Sequence, residues 1–89
     1  MPRLEPSALP IAELRLAVAI LVTAMVDNPD SVQIDVEDTN SGKLFRIRAD
    51  PRDRGKIIGA QGRAARAVRI LLHGVGMKYG VNITVDIVE

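Results

Sequence analysis

Apolar and polar positions change rhythm along this chain and mark out six elements. Between Ile11 and Val26, Leu14, Val18, Leu21, Val22 and Met25 recur three and four residues apart, the spacing of one helix face. Asp27-Asn28-Pro29-Asp30 ends that helix, because Pro29 disfavours helical backbone at Asn28. Val32–Asp38 alternates strictly, and after the turn Thr39-Asn40-Ser41-Gly42 the return strand Lys43–Ala49 alternates too. A four-residue turn places Asp38 opposite Lys43, so Val36 faces Phe45, Ile34 faces Ile47 and Val32 faces Ala49, all on one side. The other side receives Asp35 opposite Arg46 and Gln33 opposite Arg48, a pattern that a one-residue slip would destroy. That register assigns Arg46 to Asp35 and removes it from the ligand contacts.

Asp50-Pro51 predicts a short helix of about two turns, with Asp50 as N-cap and Pro51 at the first helical position. It breaks at Gly59-Ala60-Gln61-Gly62. A longer helix runs from Arg63 to Tyr79 with Gly80 beyond its end and a core stripe of Ala64, Val68, Leu71, Leu72 and Val75. Val81–Val88 alternates again, with Val81, Ile83, Val85 and Ile87 inward. The order is α-β-β-α-α-β, which predicts an α+β fold: a three-stranded sheet with one open face and helices on the other. Residues 1–10, with three prolines and no periodicity, are expected to form a flexible arm before a single domain over 11–89.

The 89 residues leave room for one domain. With no cysteine, a disulfide framework, a thiolate metal site and a cysteine nucleophile are excluded, and His73 is the sole histidine. Nothing assembles a nucleophile, a base and an oxyanion hole, so neither enzyme activity nor a metal or cofactor is expected. The longest uncharged apolar run, Leu16–Val26, is too short to span a bilayer, and the chain reads as cytoplasmic with no membrane insertion. Charge changes the picture more. The net charge of +1 hides −5 over residues 1–42, +8 over 43–78 and −2 over 79–89. A basic middle suits an anionic partner, or a solvated face paired with neighbouring carboxylates.

Three familiar motifs fail on spacing. A phosphate loop ending at Gly55-Lys56 would need glycine where Asp50 stands and Ser or Thr where Ile57 stands. Gly74, Gly76 and Gly80 miss the dinucleotide spacing, and Asp38–Gly42 misplaces the glycine of a calcium loop. What remains is Lys56-Ile57-Ile58-Gly59-Ala60-Gln61-Gly62-Arg63. Two glycines three apart between helices allow a turn too tight for side chains and a close approach of backbone to ligand. The start of the following helix favours an anion, and Lys56, Arg63, Arg66 and Arg69 surround the loop. Ile57 and Ile58 offer apolar surface to a base, where Phe45 and Tyr79 are too few to form a stacking platform. Each part suits a sugar-phosphate backbone, and a plain helix-turn-helix corner with a basic face remains the alternative. Four neutralised phosphates, with Lys56, Arg63 and Arg66 among the cations, would give a salt slope of roughly −3 for a single strand.

Ile57-Ile58-Gly59-Ala60-Gln61-Gly62 and the helix after it resemble the I-G-x-x-G core of KH domains, whose loop clamps about four nucleotides. The element order resembles the type II arrangement. Ala24–Val32 and Asp53–Gly59 are similar to the small stand-alone bacterial KhpA (YlqC-like) family, over roughly residues 9–88. That resemblance implies cytoplasmic binding of single-stranded RNA of a chaperone-like or post-transcriptional regulatory kind. It also implies self-association, a KhpB (Jag/EloR)-type partner with KH and R3H domains, and a link to cell-envelope homeostasis, cell-wall biogenesis and cell length. The carried-over site is Gly59, Ala60, Gln61 and Gly62 with Lys56 and Arg63. Where the family often has lysine or another polar residue, Ala60 removes a charge from the clamp.

Gly74 and Gly76 inside the last helix each cost about 1 kcal/mol relative to alanine. Ile70, Gly74 and Met77 form a stripe off the core face, which reads either as a dimer surface or as ordinary exposed apolar residues. A second function therefore stands beside RNA binding: a KH-fold interaction module whose partner supplies most of the RNA contact.

Overall fold

Alternation in the two hairpin strands dictates their pairing. In the computed structural model, which describes residues 4–88, β1 (Gln33–Asp38) pairs antiparallel with β2 (Gly42–Arg48). The register sets Asp38 opposite Lys43, Val36 opposite Phe45 and Ile34 opposite Ile47, as the pattern predicts. Between β1 and β2, the pairs made by Arg46 and Arg48 run diagonally, while Arg46 also reaches Asp86 straight across on β3 and Lys43 pairs with Asp38 directly opposite. Arg46 binds Glu37 at 3.1 Å and Asp86 at 3.6 Å, while Asp35 takes Arg48 at 3.6 Å. Long guanidinium side chains reach the diagonal neighbour on a pleated face, so Asp35 is not the partner of Arg46.

β3 (Asn82–Ile87) runs parallel to β2 on its other side, giving the sheet order β1-β2-β3. A parallel neighbour needs a crossover, and a short helix α2 (Arg54–Ile58) and a long helix α3 (Arg63–Tyr79) supply it. With α1 (Ile11–Met25) they cover one sheet face, and the core forms there around Val18, Val22, Phe45, Ile47, Leu72 and Ile83. α3 ends at Gly80, whose φ of 71° is the left-handed cap conformation that glycine adopts without strain. Beside the other sheet edge, the Arg15 side chain donates from Nε to the Ile34 carbonyl at 2.7 Å, occupying a β1 acceptor that would otherwise face outward.

Two expectations shift. The segment before α1 carries a single 3-10 turn (Pro6–Ala8), Leu9 is buried in the core, and the Leu4 amide donates to the Lys78 carbonyl at 3.0 Å. Residues 4–10 of the expected arm are thus docked by an apolar anchor; residues 1–3 lie outside the described residues. On α3 the buried positions are Ala65, Leu72 and Gly76, whereas Leu71 is 63% exposed. Gly76 explains the rotation. A Cβ there would stand 2.3 Å from the Val81 carbonyl oxygen and 2.9 Å from Ile83 Cγ1, so the helix approaches β3 through its bare backbone. At Gly74 a Cβ meets nothing within 4 Å. Gly74→Ala is expected to stabilise the fold by about 1 kcal/mol through helix propensity. Gly76→Ala is expected to destabilise it by about 1–3 kcal/mol through overpacking. Urea unfolding of the two variants separates them.

Candidate nucleic-acid interface

α2 is a little over one turn long, so its direction depends on what holds its start. Asp50 caps the preceding 3-10 turn (Pro51–Asp53), its carboxylate accepting from the Arg52 amide at 2.9 Å. The Arg52 side chain, hydrogen-bonded to Asp50, is the main reason its pKa falls from 3.8 to about 2. Asp53 is fully buried and accepts from the Asp27 amide at 3.2 Å, the Asn28 amide at 2.9 Å and Asn28 Nδ2 at 3.1 Å. Burial works against its ionisation, but these hydrogen bonds and the charge of Lys56 outweigh it and hold the carboxyl below the usual range. The Asp27-Asn28 turn after α1 is therefore fastened to the helix that leads into the glycine loop.

The loop is built from positive backbone angles. Gly59 has φ 80°, Gln61 φ 57° and Gly62 φ 72°. A Cβ at Gly59 would lie 2.9 Å from Ala64 Cβ, so both angle and space demand glycine there. The Gly62 amide returns to the Gly59 carbonyl at 3.1 Å and the Arg63 amide to the Ala60 carbonyl, which closes a tight exposed corner where α3 begins. Ala60 and Gln61 form its tip, both exposed, with Gln61 Oε1 accepting from Arg63 Nη2 at 3.1 Å.

Behind this corner lies an open groove of about 620 Å³ between α2, α3 and the end of β3. Ile58 and Ala65 give it an apolar wall, and Arg54, Arg66 and Arg69 supply positive charge opposite Asp86. Among the described residues, Arg63, Arg66 and Arg69 have no carboxylate within ion-pair distance. Cations without a carboxylate partner among the described residues, set beside a backbone turn and an apolar wall, can hold phosphates while a base lies on Ile58.

The structure brings Ile58, Gly59, Ala60, Gln61, Gly62, Arg63 and Arg66 to one corner of the molecule. It takes two expected residues away. Ile57 is 2% exposed, packed in the core, because successive residues of a helix face different ways; it offers no surface to a base. Lys56 turns back to Asp27 at 3.2 Å and Asp53 at 3.8 Å and does not line the groove. Arg54 lines the groove and was missed, although its position one helical turn before Ile58 places both on the same face. Ile70 and Gly74 open beside β3, and Met77 is 51% exposed. No helix among the described residues is long and apolar enough to cross a membrane.

An α-β-β-α-α-β chain with a mixed three-stranded sheet and a Gly-x-x-Gly corner joining its last two helices is a KH domain of the type II order. The chain belongs to the KhpA/KhpB KH-domain family, whose family model, "KhpA/KhpB, KH domain", matches residues 15–87. It is 42% identical over 73 residues to the RNA-binding protein KhpA of Mycobacterium tuberculosis, covering 82% of this chain and 88% of that protein. The RNA-binding protein KhpA of Streptomyces coelicolor is 41% identical over 69 residues, 78% of this chain and 84% of the relative. That of Listeria monocytogenes is 36% identical over 69 residues, 78% and 91% respectively.

Proposed function

We propose that this chain binds single-stranded RNA at the Gly59–Gly62 corner. Arg63, Arg66 and Arg69 hold phosphates there, and Ile58 carries a base. The observation that carries this reading is the pairing of a left-handed glycine turn with arginines that lack internal carboxylate partners among the described residues. RNA-binding relatives of the same family support it. With Lys56 engaged by Asp27 and Asp53, and phosphates assigned to Arg63, Arg66 and Arg69, log K is expected to fall with log salt at a slope of about −2. Fluorescence anisotropy with a labelled oligoribonucleotide across a salt series measures it. A slope near zero would sink the phosphate clamp.

The family extends the proposal to an RNA chaperone or post-transcriptional regulator in the cytoplasm, acting with a KhpB-type partner in cell-envelope homeostasis and cell length. A second reading, self-association, is favoured by one feature. Leu21, 49% exposed on α1, and Leu71, 63% exposed on α3, flank an apolar cleft that Leu14, Ala17, Val68 and Val75 also line. This face is broader than the stripe of Ile70, Gly74 and Met77 expected from the sequence. Leu71→Glu is expected to turn a dimer into a monomer in sedimentation while circular dichroism stays native, whereas Met77→Glu on the expected stripe leaves the dimer intact.

A further inference from the structure

Guanidinium groups stay charged at any pH a protein survives, so a clamp of Arg63, Arg66 and Arg69 is always on. One side chain on the same line of α3 behaves differently. With about 100° of turn per residue, His73 lies about 20° round the helix from Arg66 and about 40° from Arg69. A rise of about 1.5 Å per residue puts it about 6 Å past Arg69. Arg69 and His73 wall the same open stretch of about 610 Å³ between α3 and residues 82–85 of β3. His73 is exposed, and among the described residues its imidazole makes no hydrogen bond and no ion pair.

The charges around that imidazole are of one sign. α3 contributes Arg69 one turn back, and the lining residues of β3, Asn82 to Val85, carry no charge. Lys78 is about 140° round the helix, off this face. Asp86 stands further along β3, beside Arg66 and within 3.6 Å of Arg46, and does not line the stretch that holds His73. An imidazolium here would face a cation and have no carboxylate beside it, so a counter-ion would have to come from the ligand.

Histidine is the side chain that ordinarily gains its charge between pH 8 and pH 5. We infer that His73 is a proton-dependent phosphate contact, which on acidification joins Arg63, Arg66 and Arg69 as a fourth cation for a strand held at Gly59–Gly62. The inference rests on the RNA-binding reading above and adds a pH dependence that the arginines cannot give. A phosphate favours the charged imidazole, so binding takes up a proton. Affinity therefore rises as the pH falls and is lost again as the pH rises.

The test uses the full chain and a labelled decamer of uridine at about pH 7.5 and about pH 5.5, a window in which neither the base nor the phosphodiester titrates. Asp50 and Asp53 titrate below that window, and no second histidine is present. Each added contact to a single strand contributes about −0.7 to the salt slope, so the slope of about −2 is expected to steepen to about −3 in acid. Binding at low salt is expected to tighten about fivefold, the size of one charge pair at the surface. His73→Gln is expected to keep the shallow slope at both pH values, and His73→Lys to show the steep slope at both, with native circular dichroism. A wild-type slope that ignores pH, or a pH effect that survives in His73→Gln, overturns the inference. So does a His73→Gln chain that weakens equally at both pH values, because the ring would then act uncharged. A wild type that binds the decamer at neither pH fails the RNA-binding reading itself, a distinct result.

Discussion

A chain carrying Ala60→Asp and Gln61→Asp is expected to lose RNA binding by about 100-fold or more while its circular dichroism stays native. Ala60 and Gln61 are the exposed tip of the corner, and neither side chain enters the core. Gln61 sits at φ 57°, and aspartate is among the few residues that tolerate this region, so the turn survives the change. Two carboxylates would stand where a phosphate has to pass. Each repels it by about 1 kcal/mol in bulk water and about 4 kcal/mol near a protein surface, and every 1.4 kcal/mol is about tenfold in affinity. An aspartate at 61 would also draw Arg63, already hydrogen-bonded to Gln61, into an ion pair and withdraw its charge from the ligand. Electrophoretic mobility shift at low salt reads the result. Unchanged binding would mean that RNA is held elsewhere on the molecule.

Asp53→Ala is expected to have the largest effect on folding. The carboxylate has no exposed surface and satisfies two backbone amides and the Asn28 side chain; alanine would leave all three donors buried without an acceptor. A fall in Tm on the order of 10 °C or more is expected by differential scanning calorimetry. Asp53→Asn keeps the shape and one acceptor, and should fall between the two. The same group sets an acid limit. Its pKa and that of Asp50 are lowered in the folded chain, so their contribution is complete above about pH 4 and is lost as the pH drops through the folded values. For Asp50 that loss runs from 3.8 down to about 2. Asp53→Asn should flatten this part of the stability profile, and an unchanged profile would show that the staple does not titrate.

The hairpin was legible because strict alternation over seven residues leaves one register that buries Ile34, Val36, Phe45 and Ile47 together. The caps were legible because Asp50-Pro51 suits the start of a helix and Gly80 the left-handed position just past a helix end. The facing of α3 was not. Ala64, Ala65, Ala67, Val68, Ile70, Leu71, Leu72 and Val75 carry apolar character more than halfway round the helix, so periodicity does not select the buried line. The deciding contact is made by Gly76, a residue whose lack of a side chain gives no hydrophobic signal. The corner itself could be read from two glycines and their flanking helices. Lys56 and Ile57 could not be placed by proximity to it, because in a helix of one turn the residues two and three before the glycine point to the core and to the Asp27 side. The Asp53–Lys56 spacing of i,i+3 was the available hint.

The guanidinium that Arg15 places on Ile34 covers one acceptor of the β1 edge. Strand-to-strand growth, the first step of amyloid-like stacking, finds an open edge in β3, whose sequence Asn82-Ile83-Thr84-Val85-Asp86-Ile87 is rich in β-branched residues. Whatever occupies that margin therefore also acts as a solubility device, and concentrated unliganded protein is the state in which the molecule is most exposed to self-templating.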